Sequence, residues 1–121
     1  MELNLVEVMK KSIYTIFYIL SLLFVACSQS FDNKRADEIL LKSEISEAEY
    51  SELLKLYEIG MDDSLEIAQK GNPSISKSQR EEMLTMFAIA KRLVVDRDKL
   101  TDSQVIEFDR ITNKGKEGLE K

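Results

Sequence analysis

The chain has 121 residues, enough for one small domain, and its 22 acidic and 17 basic residues give a net charge of −5 at pH 7. An acidic surface repels phosphate backbones and no lysine- or arginine-rich stripe stands out, so nucleic-acid binding is disfavoured. The sequence has no histidine and one cysteine. These counts exclude Ser–His or Cys–His nucleophilic pairs, the usual zinc sites and an intramolecular disulfide.

The first residues of the chain are an unusual start for an exported protein. Residues 1–8 contain Glu2 and Glu7, whereas Met9 is followed directly by Lys10 and Lys11. We therefore hypothesise that translation begins at Met9. Peptides from residues 1–8 in the precursor would contradict this.

A long apolar run dominates the N-terminal part of the sequence. It extends from Ser12 to Ala26, follows the two lysines, and ends in the sequence Val25-Ala26-Cys27. A positively charged start, an apolar middle and a small-residue exit are typical of a secretory signal peptide.

The position of the only cysteine specifies the kind of signal. Val25-Ala26-Cys27 resembles the lipobox of bacterial lipoproteins, with Phe24 where that family usually has leucine. The resemblance implies that residues 1–26 are a lipoprotein signal peptide, cleaved between Ala26 and Cys27. It also implies that Cys27 carries a diacylglyceryl group and usually a third acyl chain, so that palmitate-type chains hold the protein to a membrane.

The same run leaves a second interpretation open. A spanning helix needs about 20 apolar residues, and this run is shorter and is diluted by Ser12, Thr15 and Ser21. An uncleaved single-span membrane protein is therefore the alternative. In both cases the lysines before the run hold the N-terminal end inside, so the rest lies outside the cytosol, in the bacterial cell envelope. Ser28, at the sorting position of the resembling family, favours the outer membrane, facing the periplasm or the surface.

We expect residues 27–33 to be the lipidated cysteine and a polar tether, and residues 34–121 to form a helical domain. A short helix is predicted at about 34–42. Ser46 and Glu49 form a capping box that opens a second helix, at about 47–70. The apolar stripe of this second helix consists of Tyr50, Leu53, Leu54, Tyr57, Met61, Leu65 and Ala68. Gly60 interrupts the stripe, so the helix is expected either to bend or break there or to continue through it.

Two more helices follow. Gly71-Asn72-Pro73 should stop the second helix, and Ser76 or Ser78 should cap a third at about 78–96. The third helix has the widest apolar arc, made of Met83, Met86, Phe87, Ile89, Ala90, Leu93 and Val94, so we expect it to be central and most buried.

A second capping box, Thr101 with Gln104, opens a fourth helix at about 102–114. Its inner face is predicted to be Val105, Phe108, Ile111 and Thr112. Gly115 should end it, and residues 116–121 should fray. The predicted fold is all-α, a small three-helix bundle with a short extra N-terminal helix, preceded by the helical signal or anchor segment.

Residues 45–60 resemble residues 100–115 without a gap. Both segments read as a hydroxyl cap, a Glu or Gln three residues later, spaced apolar residues and a final glycine. A duplicated unit is one interpretation. The other is that capped amphipathic helices ending in glycine converge on this pattern.

The sequence contains no recognisable catalytic, cofactor or metal site, and we predict that the protein is not an enzyme. Asp63 and Glu66 are expected to complement a helix dipole, and Asp62 with them does not make a calcium loop. Tyr50 and Tyr57 are expected in the core with hydrated hydroxyls.

Two further groups have structural interpretations. Met61, Met83 and Met86 are expected to fill gaps in the core, with an adaptable binding groove as the alternative. Lys91, Arg92, Arg97 and Lys99, interleaved with Asp96 and Asp98, are expected on a solvated face.

The sequence therefore predicts a lipid-anchored, non-catalytic helical envelope protein that acts as an interaction or structural module, with a possible envelope protein partner. No nucleic-acid or small-molecule partner is indicated. An alternative is an inhibitor or immunity-type protein that binds a basic envelope enzyme or toxin.

Overall fold

The computed structural model describes residues 30–71 and 74–120, and this part of the chain is an all-α bundle, as predicted. Its helices are α1 (Asn33–Leu40), α2 (Glu47–Gln69), α3 (Lys77–Val95) and α4 (Asp102–Glu120). A single 3-10 turn, Arg97–Lys99, lies between α3 and α4. The predicted signal segment, 1–26, lies outside the described residues.

The starts of the three long helices are fixed by their first side chains. Both predicted capping boxes are confirmed: Ser46 and Glu49 bond each other's backbone N–H at 3.0 and 3.2 Å, and Thr101 and Gln104 do the same. At α3 the cap is Ser76, whose hydroxyl accepts from the Gln79 N–H at 3.1 Å. Each box satisfies amides that the helix itself leaves without partners.

The central helix is α2, because it packs against α1, α3 and α4, whereas α3 and α4 scarcely touch each other. The prediction that the third helix is central and most buried is wrong. α3 buries Met86, Ile89 and Leu93 but leaves Phe87 and Val94 mostly exposed. Its apolar arc is wider than the surface that α1 and α2 cover. The fully buried large side chains are Ile39, Leu53, Ile89, Leu93 and Ile111.

The two similar segments, 45–60 and 100–115, lie side by side and run parallel in α2 and α4. Their equivalent positions meet: the hydroxyls of Tyr57 and Thr112, the thirteenth residue of each segment, are 2.8 Å apart. Phe108 stacks on the Tyr57 ring with centroids 5.3 Å apart. The shared sequence pattern therefore corresponds to a shared packing face.

The glycine that closes each segment serves close packing and does not end a helix. α2 continues through Gly60, and α4 continues through Gly115 to Glu120, so the predicted end at Gly115 and the predicted fraying are wrong for the described residues. A Cβ at Gly60 would lie 2.9 Å from Cγ of Met86, and one at Gly115 would lie 2.7 Å from Cε of Met61. These two methionines fill gaps between helices, as expected.

The end of α2 matches its sequence signal. Gly71 adopts a φ of +74°, in the left-handed region that favours glycine, directly after the helix C-cap Lys70. The chain then reverses, so that α3 runs antiparallel to α2.

Candidate functional site

The residues that the sequence assigns to lipidation and cleavage, Val25, Ala26 and Cys27, lie outside the described residues. Their assignment stays a prediction. The folded unit that follows them is Phe31–Lys121.

A buried ionic network closes one end of the bundle. Arg92, on α3, donates from Nε to Oδ2 of Asp96 at 2.6 Å, and its Nη atoms reach the backbone carbonyls of Leu40, Lys42 and Ser43 at 3.2 to 3.5 Å. Leu40 is the last residue of α1, where the helix leaves carbonyls without partners, and Lys42 and Ser43 lie in the turn that follows. The prediction of a solvated basic face is therefore wrong for Arg92, whose guanidinium holds α1 against α3.

Tyr50 completes this network from α2. Its hydroxyl donates to Oδ2 of Asp96 at 2.7 Å. Burial together with this bond raises the pKa of Tyr50 to about 12. Burial alone would raise the pKa of Asp96, but the bonds from Arg92 and Tyr50 outweigh it and lower that pKa.

The two tyrosines predicted on the inner stripe are both buried, but their hydroxyls bond to protein groups. Tyr50 bonds Asp96, and Tyr57 bonds Thr112. The expectation of hydrated hydroxyls is wrong, because α3 and α4 supply polar partners at the matching heights. Sequence spacing along one helix carries no information about the polar residue that faces it from another.

Gln104 has a second role in the core. Besides capping α4, its amide Nε2 donates to the Glu47 carbonyl at 2.9 Å and to the Ser51 hydroxyl at 3.0 Å. It is buried, so one side chain both starts α4 and fixes it against the first turn of α2. The capping-box pattern identified the first role only.

A carboxyl pair lies in an open cleft between α2 and α3. Glu82 of α3 faces Asp63 of α2, and Ile67, Lys70 and Gln79 line the same cleft. Burial and the bond to Asp63 raise the pKa of Glu82 to about 8. Two ionised carboxylates have no proton to donate, so a hydrogen bond between the two groups requires a proton on one of them; Oε1 of Glu82 is buried without any other partner.

The sequence does not reveal this pair, because its members come from different helices. We expect from the sequence that Asp63 and Glu66 complement a helix dipole, but Asp63 lies in the interior of α2 and faces Glu82. Chemically, the pair can hold and release one proton near neutral pH. Within 30–71 and 74–120, no cluster of three or more acidic, cysteine or histidine residues could hold a metal ion.

Several surface cations are paired with acids of another helix or turn. Glu58 of α2 accepts from Arg110 at 2.6 Å and from Lys114 at 3.3 Å. Arg97 makes a bidentate pair with Asp109, with both N–O distances 2.9 Å. Each exposed pair adds little stability, but together they neutralise Arg97 of the turn and Arg110 and Lys114 of α4.

None of the helices in the described part of the chain is both long enough and apolar enough to cross a bilayer. No protein-family model matches the chain, and no characterised protein or solved structure shows significant similarity to it.

Proposed function

We propose that the protein is a lipid-anchored, non-catalytic interaction module of the bacterial cell envelope, held to the membrane through acyl chains on Cys27. The proposal depends on one observation: two lysines, an apolar run and small residues follow one another and end at the only cysteine of the chain. Two or three acyl chains make an anchor that does not readily dissociate, since each buried methylene adds about 0.8 kcal/mol.

The position of the folded unit in the chain supports this proposal. The folded unit begins at Phe31, whose side chain packs against the core. Only four peptide steps separate it from Cys27, and four residues span at most about 14 Å. A lipid on Cys27 would therefore keep the bundle close to the headgroups.

The interior of the bundle also supports a structural or interaction role. The two polar residues buried in the described part of the bundle, Asp96 and Gln104, make structural contacts: Asp96 with Arg92 closes the end of α1, and Gln104 fixes α4. Tethering such a module to a surface raises its effective concentration toward other envelope proteins without any stronger contact.

The test is crosslinking in intact cells, comparing the wild-type protein with Cys27→Ser. Under this proposal the wild-type protein captures one or a few envelope proteins, and the variant, released from its membrane position, captures them much less. Equal capture by both would contradict anchoring as the mechanism.

The inhibitor or immunity-type alternative predicts a different result in the same experiment. Its partner would be a single basic enzyme or toxin, bound 1:1 and released by salt, because the chain carries a net charge of −5. In that case the complex would also form in solution with residues 28–121 alone.

A further inference from the structure

The solvent side of α3 has a composition unlike the rest of the described surface. Eight exposed residues follow one another at helical spacing along this side, and we call them the outer face of α3. They are Lys77, Arg80, Leu84, Phe87, Ala88, Lys91, Val94 and Val95. They combine three cations with five apolar side chains and include no acidic residue; Glu81 lies at the edge. This occurs in a chain whose net charge is negative.

The apolar residues of this face are not part of the core. Leu84 keeps 63%, Phe87 59% and Val95 68% of its surface exposed. A row of large apolar side chains left in water along three helical turns does not stabilise the fold. Contiguous exposed patches of this kind are typical of surfaces that contact a membrane or a partner.

The cations of the outer face are not neutralised by neighbouring acids. Lys77, Arg80 and Lys91 make no ion pair with any described residue, whereas Arg35, Arg97, Arg110 and Lys114 are all paired with acids. Lys34, Lys55, Lys99 and Lys116 also lack an ion pair, but none of them lies on α3. A helix face that interleaves unpaired cations with leucine, phenylalanine and valine is typical of helices that lie in a membrane interface. The apolar side chains enter the headgroup region, and the cations meet anionic lipids.

The position of α3 in the bundle also favours contact with a membrane. α1 is the first helix after the tether, and it packs alongside α3 with its C-terminal end at Arg92. The tether from Cys27 is at most about 14 Å long. A bilayer that holds Cys27 is therefore within reach of α3, the helix directly beside α1.

We propose that the outer face of α3 binds a bilayer containing anionic phospholipid and so sets the orientation of the anchored bundle on the membrane. This inference rests on the proposed anchoring for its biological setting. It specifies a second, reversible contact besides the lipid and leaves α2 and α4 facing away from the surface for a partner.

The experiment anchors residues 27–121 through Cys27 to a maleimide-bearing lipid in preformed vesicles. This reproduces attachment at the sole cysteine whether or not cells lipidate it. The segment contains the whole core, which lies within Ala36–Ile111, and circular dichroism checks that it is folded. Since the chain has no tryptophan, Phe87→Trp provides a single tryptophan on the outer face, which can be excited apart from the tyrosines.

The matched control is Ile106→Trp, on a similarly exposed apolar position of α4. With vesicles that contain brominated and anionic phospholipid, we expect a blue shift and at least a twofold loss of fluorescence for Phe87→Trp. We expect neither for Ile106→Trp. In neutral vesicles the effect at position 87 should be much weaker.

Removing the three positive charges tests the electrostatic contribution to membrane binding by the outer face. Each cation near an anionic surface changes the equilibrium about fivefold, so Lys77→Gln, Arg80→Gln and Lys91→Gln together should lower face binding by about 100-fold and abolish the quenching. Absence of quenching for Phe87→Trp, or equal quenching at both positions, would overturn the proposal. Neither result would affect the proposed lipidation, because the anchor here is chemical.

Discussion

The carboxyl pair in the cleft between α2 and α3 makes stability depend on pH in an unusual direction. Glu82 has a folded-state pKa of about 8, against an ordinary value of 4.5. The folded state therefore keeps a proton that the unfolded chain releases. The stability that this proton contributes is fully present below about pH 4.5 and is lost as the pH rises toward and through 8.

The perturbation that isolates this effect is Glu82→Gln, which keeps the shape and donates a hydrogen bond at every pH. A pKa that differs by 1 between the folded and unfolded states corresponds to about 1.36 kcal/mol, but water reaches the open cleft and weakens the penalty. We expect the wild type to lose about 2 kcal/mol of unfolding free energy between pH 5 and 8.5, and the variant to lose much less.

The assay is urea denaturation of residues 28–121 at a series of pH values. No histidine titrates in this window, because the chain has none. Glu81→Gln, the exposed neighbour on the same helix, is the matched control and should keep the wild-type slope. If Glu82→Gln shows the same loss of stability as the wild type, Asp63 and Glu82 do not share a proton and the reasoning is refuted.

The remaining predictions concern packing and the buried network, and urea denaturation measures both. Gly60→Ala should lower the unfolding free energy by about 1 kcal/mol, because overpacking against a buried methionine outweighs the gain in helix propensity. Gly115→Ala should cost less, since the flexible end of a half-buried methionine can move aside; a larger loss at Gly115 would contradict the packing described. Arg92→Ala should cost about 3 kcal/mol by leaving a buried carboxylate unpaired. Exposed Lys91→Ala should change stability by less than about 0.5 kcal/mol, and equal effects at both positions would argue against the network.

Local signals predicted the described helices well. Ser46 with Glu49, and Thr101 with Gln104, begin α2 and α4 where their side chains bond the first turn. Gly71 ends α2 through a left-handed φ. Each of these rests on groups within a few residues of one another, so the sequence contains all the information that the geometry needs.

The predictions that failed depend on contacts between helices. Gly115 looked like a stop signal, but Met61 of α2 occupies the space that a side chain there would need. Arg92 looked solvated, but the end of α1 presents carbonyls to it. Nothing in the spacing along a single helix indicates which residue faces it from another.

The apolar arc of α3 is another feature whose surroundings the sequence pattern does not predict. Its width indicated a buried helix, but only two neighbouring helices cover it, and Phe87 stays in solvent. A hydrophobic pattern identifies apolar residues but does not show which surface each of them contacts. Some of the apolar residues of α3 pack in the core, and we propose that the exposed ones contact the membrane.

The most direct measurement of the central claim is metabolic labelling with an alkyne fatty acid, followed by mass spectrometry of the protein recovered from membranes. We predict that the wild type is labelled on an N-terminal Cys27 and lacks residues 1–26. Cys27→Ser should be unlabelled and keep its leader, whereas the neighbouring control Ser28→Ala should be labelled like the wild type. An unlabelled wild type with the leader still attached would contradict the lipid anchor.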